Sequence, residues 1–92
     1  MQNRVYVVRL TADQIQAFDE EKLYVGLHWG SVYTYEQLVK EYKKTKYISI
    51  DDYINDNAIL SMGMLKDSDW YWDITYYPID EDNYLLIVAI CN

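Results

Sequence analysis

The chain contains one cysteine, one proline, one histidine, one phenylalanine and three glycines in 92 residues, and each scarcity removes a class of protein. A lone Cys91 excludes an internal disulfide framework. Three glycines leave no Gly-rich phosphate loop, and a single histidine with a single cysteine leaves no paired zinc ligands. Long apolar runs are missing too. The longest, Tyr84 to Cys91, has eight residues, far short of the about 20 that a membrane-crossing helix needs. Met1, Gln2, Asn3 and Arg4 do not open the apolar core of a secretory signal. These absences read as a soluble protein of a reducing, cytoplasmic setting.

Cations are scarce in one half only. Residues 1–46 carry six acidic and seven basic side chains, whereas residues 47–92 carry nine acidic and one basic, Lys66. The net charge of −7 therefore arises in the second half, which also holds six of the eleven tyrosines and two of the three tryptophans. Residues 69–77, DWYWDITYY, are the densest mixture of rings and carboxylates. This balance argues against direct nucleic-acid binding, which needs a positive footprint. The only basic cluster, Lys40, Lys43, Lys44 and Lys46, falls at the end of a predicted helix, where cations complement the dipole. At 51% hydrophobic and 16% aromatic residues, the chain is too apolar to stay disordered. Its length suits one domain, residues 1–92.

The pattern predicts an α+β fold: a three- to four-stranded, mainly antiparallel sheet, two or three helices on one face, and a C-terminal β-hairpin. Arg4 to Leu10 is β-branched and apolar on both alternating faces in its middle, as a buried strand is. Thr11 with Gln14 has capping-box spacing, and Ile15 with Phe18 gives the following short helix an apolar side. Leu23 to Trp29 reads as a second strand, broken by Gly30 and Ser31. Thr34 with Gln37 caps a helix of about Tyr35 to Lys46, whose Tyr35, Leu38, Val39 and Tyr42 share one face. Ser49 caps a third, ended by Gly63. In the hairpin, Trp70, Trp72, Ile74 and Tyr76 point to one face, while Tyr71, Asp73, Thr75 and Tyr77 point to the other. Pro78 to Asn83 is an acidic connection. Tyr84 to Cys91 is apolar on both faces, which suits a central strand or one covered on both sides.

No motif carries chemistry. His28 has no nucleophile and orienting carboxylate at a recognisable spacing, and nothing cationic near Cys91 in sequence would lower its pKa. Asp67, Asp69 and Asp73 have partial calcium-loop spacing, but the turn glycine and the bidentate glutamate of such a loop are replaced by Trp72 and Pro78. An enzyme, a metal and a cofactor are therefore not expected. Tyrosine and tryptophan beside unmatched carboxylates suit a basic protein partner, because rings supply rigid contact area and carboxylates meet Arg and Lys in charge-assisted bonds. The alternative is that the rings fill a small core and the acids keep the protein in solution.

On the acidic stretch from Asp51 to Asp82, the chain resembles the small acidic inhibitors of phages and mobile elements: DNA mimics, anti-restriction proteins and anti-CRISPR proteins. The likeness is compositional and implies no fold. It implies a protein of a bacterial host's cytoplasm that blocks the groove of a basic, nucleic-acid-handling partner such as a nuclease. The partner-binding residues expected are Asp67, Asp69, Tyr71, Asp73, Tyr77, Asp80, Glu81 and Asp82, with Asp51, Asp52 and Asp56 joining them from the third helix. The same surface would serve an immunity protein or antitoxin against a basic toxin. Two other readings stand beside it: a small ligand-binding domain with Tyr24, His28, Trp29 and Tyr33 around an apolar pocket, and a self-associating module, even a homodimer, since an apolar hairpin with few gatekeeping cations pairs edge to edge.

Overall fold

Alternation along the last strand organises the fold. The computed structural model describes residues 3–27 and 31–91. The chain runs β1 (Asn3–Thr11), α1 (Ala12–Asp19), β2 (Leu23–Gly26), β3 (Val32–Thr34), α2 (Tyr35–Lys43), α3 (Ile50–Asp56), β4 (Ile59–Leu60), α4 (Met62–Asp67), β5 (Tyr71–Pro78) and β6 (Asn83–Cys91). β6 lies between β1 and β5, antiparallel to both. Its residues Leu86, Val88 and Ile90 are buried, opposite Val8, Tyr6 and Arg4 on β1 and Tyr76, Ile74 and Trp72 on β5. Leu86, Val88 and Ile90 make the main core with Tyr6, Val8, Leu10, Phe18, Leu23, Val25, Leu60, Met62 and Leu65, and Trp72, Ile74 and Tyr76 pack against it.

Helices supply the other wall of that core. Both capping boxes form: Thr11 Oγ1 accepts from Gln14 N at 3.2 Å while Gln14 Oε1 accepts from Thr11 N at 2.9 Å, and Thr34 with Gln37 repeats this at 3.2 and 2.8 Å. Each box satisfies two backbone donors at the point where a strand turns into a helix, which fixes the entry angle. α1 thereby buries Phe18, and α4 buries Met62 and Leu65. A second sheet of order β3–β2–β4 is also antiparallel. It carries a smaller cluster in which Leu38 of α2 meets Ile54 of α3 and Ile59 of β4.

The α+β class, the antiparallel pairing, the C-terminal hairpin and the central place of β6 are as the sequence predicts. Among the described residues the strands number six in two sheets rather than three or four in one; β3 and β4, of three and two residues, are too short to show alternation in the sequence. α2 stops at Lys43, where Thr45 Oγ1 donates to the Tyr42 carbonyl at 2.6 Å. α3 ends at Asp56 and does not reach Gly63: Asn57 Nδ2 donates to the Tyr53 carbonyl at 2.9 Å, and Ala58 turns the chain away at φ 52°. Ser61 then caps α4, accepting from Met64 N at 3.3 Å, with Gly63 in its first turn. Of the expected second strand, His28 and Trp29 lie outside the described residues, as does Gly30. Among the described residues no helix is long and apolar enough to cross a membrane.

One consequence is a contrast between neighbours on β6. Leu86 is fully buried, whereas Ile87 points to the opposite face and is partly exposed. Leu86→Ala should cost about 2–5 kcal/mol and Ile87→Ala about 1 kcal/mol or less, read from urea unfolding of dilute protein. Equal costs would mean that both faces of β6 are core.

Candidate functional site

All nine acidic side chains of the second half are exposed. Two ion pairs form among the described residues, Lys22 with Glu20 and Lys44 with Glu41, and neither uses any of the nine. Strand register then decides which acids come together. β6 spans nine residues, so its ends lie about 26 Å apart at roughly 3.3 Å per step. Asp80, Glu81 and Asp82 sit beyond one end, where the Ala12 N–H donates to the Asp82 carbonyl at 3.2 Å. Asp67 and Asp69 precede Tyr71, which pairs with Cys91 at the other end. The expected residues therefore divide between two poles.

At the hairpin pole the three acids differ. Asp80 Oδ1 accepts from the backbone N–H groups of Asp82 and Asn83, each at 3.0 Å, and from Asn83 Nδ2 at 2.9 Å. Its Oδ2 accepts from Asn83 Nδ2 at 3.1 Å. This is the turn chemistry of an aspartate closing a loop onto itself. These donors, the Asn83 side chain foremost and with Arg9 adding a favourable charge, hold the carboxyl below its ordinary value of 3.8. Asp80 is thus occupied with shaping the turn, and Glu81 and Asp82 are the side chains it presents.

The opposite pole adjoins a groove of about 180 Å³ between α3, β4 and the Arg4–Ile90 end of the first sheet. Ile54, Ile59 and Met64 give it apolar walls, Asn55 a polar one, and Trp70 stands at its side. This volume is below the 300–1,000 Å³ usual for a small-molecule site, while an adjoining recess holds about 360 Å³. Asp69 is next to Trp70 in the chain, and Asp51 and Asp56 flank Ile54 and Asn55 on α3. Asp51 also lines that recess with Tyr24 and Ser61. Asp56 raises the pKa of Tyr47, after the larger effect of burial. None of the groove's lining residues is in the expected set, Arg4, Ile54, Asn55, Ile59, Met64 and Trp70 among them. The signal for Met64 is the spacing from Ser61, a cap whose helix is only six residues long.

Between the poles, Tyr71, Asp73 and Tyr77 point outward from β5 in one row with Thr75; Tyr71 is 82% and Tyr77 62% exposed. Most other tyrosines have structural partners. The rings of Tyr42 and Tyr47 meet Tyr53 edge-on at 6.3 and 5.6 Å, and the Tyr42 hydroxyl donates to the Ile48 carbonyl at 3.1 Å, which ties α2 to α3. Tyr24 and Tyr33 are opposed across β2 and β3 and pack on the smaller cluster; the His28 and Trp29 of the aromatic-pocket reading lie outside the described residues. Tyr76 donates to Asp19 Oδ1 at 2.5 Å, joining β5 to the end of α1. Among the described residues no three His, Cys, Asp or Glu side chains converge on a metal position. No protein-family model, curated protein or solved structure matches the chain.

Two measurements separate structural groups from presented ones. Burial first, and then the Asp19 carboxylate, push the Tyr76 phenol well above its ordinary value of 10.0. The neutral phenol is the donor, so the bond's contribution is complete below about pH 10 and is lost as pH rises through the raised folded-state value. Tyr76→Phe should cost about 1–2 kcal/mol at neutral pH, and the gap to the parent in denaturant unfolding should close above pH 10. For Asp80 the sign is opposite. Its lowered pKa means a contribution present above pH 3.8 and lost as pH falls through the lower folded-state value. Asp80→Ala should speed amide hydrogen exchange at Asn83 and Asp82, with exchange at Val88 unchanged.

Proposed function

We propose that this protein is a stoichiometric inhibitor that occupies the basic, nucleic-acid-binding surface of a partner protein, a nuclease or similar effector, in the manner of phage counter-defence proteins. One observation carries it: nine exposed carboxylates in one half of the chain, none in an ion pair among the described residues. Unpaired surface acids repel one another and gain from meeting Arg and Lys, which speeds encounter more than it deepens affinity. The groove pole is the favoured contact, because Asp69 precedes Trp70 of its lining in the chain, Asp51 and Asp56 share α3 with its Ile54 and Asn55, and Asp51 lines the adjoining recess; an apolar centre with polar surroundings is the anatomy of a specific interface. Carboxylates stand in for phosphates, and Glu81 with Asp82 extends the field along the molecule.

Immobilised protein should retain a basic host protein at low salt and release it as salt rises, since exposed charges are screened beyond about 8 Å at physiological ionic strength. Asp67→Lys with Asp69→Lys should slow association by about tenfold or more, measured by biolayer interferometry with the captured protein. Glu81→Lys with Asp82→Lys should have a smaller effect. Binding indifferent to salt and to both reversals would remove the mechanism.

A further inference from the structure

The outer face of the β1–β6–β5 sheet has a different chemistry from the acidic poles. Register places four rows on it: Asn3, Cys91 and Tyr71; Val5, Ala89 and Asp73; Val7, Ile87 and Thr75; Arg9, Leu85 and Tyr77. Every described helix buries its apolar side in one of the two core clusters, and no residue of these rows belongs to either cluster. Val5 remains 54% exposed. The middle of the face is thus an aliphatic surface uncovered by any described element, where a sheet of this composition ordinarily meets another layer.

We infer that this face is covered by a second copy of the chain. Its charge selects that occupant. A protein of net charge −7 puts one cation, Arg9, and one anion, Asp73, on these rows, so the face is neutral and offers a basic partner a single carboxylate. Of the nine acids in the second half, the other eight lie off it. The two charges are also placed for self-complementarity. Arg9 is on one edge strand and Asp73 on the other, two rows apart, and the midpoint between them is Ile87 on the central strand. A two-fold axis through Ile87 sets Arg9 of each copy against Asp73 of the other, the isologous arrangement expected of a dimer. Strands of the two copies then cross at roughly 70°, nearer the orthogonal than the aligned class of sheet packing. Val5 and Tyr77 lie near the axis, each beside its own counterpart. Arg9 also lies close enough to Asp80 to favour its charged form, but the two make no ion pair. Three strands by four rows give a footprint of a few hundred Å² per copy, less than the about 800 Å² per partner of a standard interface. The dimer is therefore weak, with a dissociation constant in the micromolar range or above.

Sedimentation equilibrium from about 1 µM to 1 mM tests this, over a span that brackets such a constant. The parent should pass from monomer to dimer. Ile87→Asp should stay monomeric, and Arg9→Asp or Asp73→Arg should each weaken association by about tenfold or more. The double exchange Arg9→Asp with Asp73→Arg should return it to within about threefold of the parent, as coupling between contacting sites requires. Urea unfolding confirms that each variant is folded. A parent that stays monomeric at 1 mM overturns the inference, as does a dimer that survives Ile87→Asp, which would be edge-to-edge pairing of β1 or β5. So does a double exchange that fails to recover. Mass alone is read, so this result is independent of partner capture through acids off the face.

Discussion

The nine-residue β6 is the constraint on which the other elements depend. It is paired along its length on both edges, and side chains in a strand alternate strictly between faces. Leu86, Val88 and Ile90 therefore go to one side together, and a slip of one residue would expose all three while burying Leu85, Ile87 and Ala89. The turn that sets this register is held by the Asp80 carboxylate, so one acid of the most charged segment serves the core at a distance. From the same register come the separation of the two acidic poles and the neutral outer rows. The poles are at opposite ends of β6, and the rows are the residues it sends away from the helices.

How much of this could be read from the chain follows from element length and from what lies beside each residue in space. The capping boxes at Thr11 and Thr34 and the alternation from Trp72 to Tyr77 are local signals, repeated over enough residues to be read directly. β4 and α4 are not. A two-residue strand has no period, and Gly63, which reads as a helix end, occupies the first turn of a helix, where it is tolerated. The eleven residues expected at the site are exposed, but their grouping is not legible in the sequence. Sequence neighbours such as Asp73 and Asp80 fall on different surfaces, while Asn55 and Trp70, fifteen positions apart, line one groove. The two apolar faces of β6 and the gathering of helices on one side are evident in the sequence; which of the two faces the helices cover is a tertiary fact.

Tyrosine is divided between two duties on a similar basis. Tyr42, Tyr47 and Tyr53 stiffen the α2–α3 junction, where a small core has little leucine to offer, and ring contacts add about 0.5–1.5 kcal/mol beyond burial. Tyr76 spends its hydroxyl on Asp19. Tyr71 and Tyr77 have no such packing and remain largely exposed. Aromatic abundance by itself therefore does not mark a recognition surface. Exposure together with freedom from core packing does, and among the described residues Tyr71 and Tyr77 of β5 and Trp70 meet that measure.

Charge and apolar area are kept apart, and that separation has a physical consequence. A carboxylate beside an aliphatic surface that becomes buried must either find a cation or lose its hydration at a cost of several kcal/mol. On the outer face only Asp73 is exposed to that risk, and Arg9 on the opposite edge is its counterpart in a two-fold contact. Among the described residues the acids of the poles form no ion pair. Association through the face would leave them solvated and duplicate them, so a basic partner would meet two sets of acidic poles on one particle. If its own surface spanned both, the second contact would form at a high effective concentration with no new chemistry. On the two proposals together, a weak dimer and weakly attractive poles would suffice for firm binding, because a partner that engaged both copies would strengthen their association.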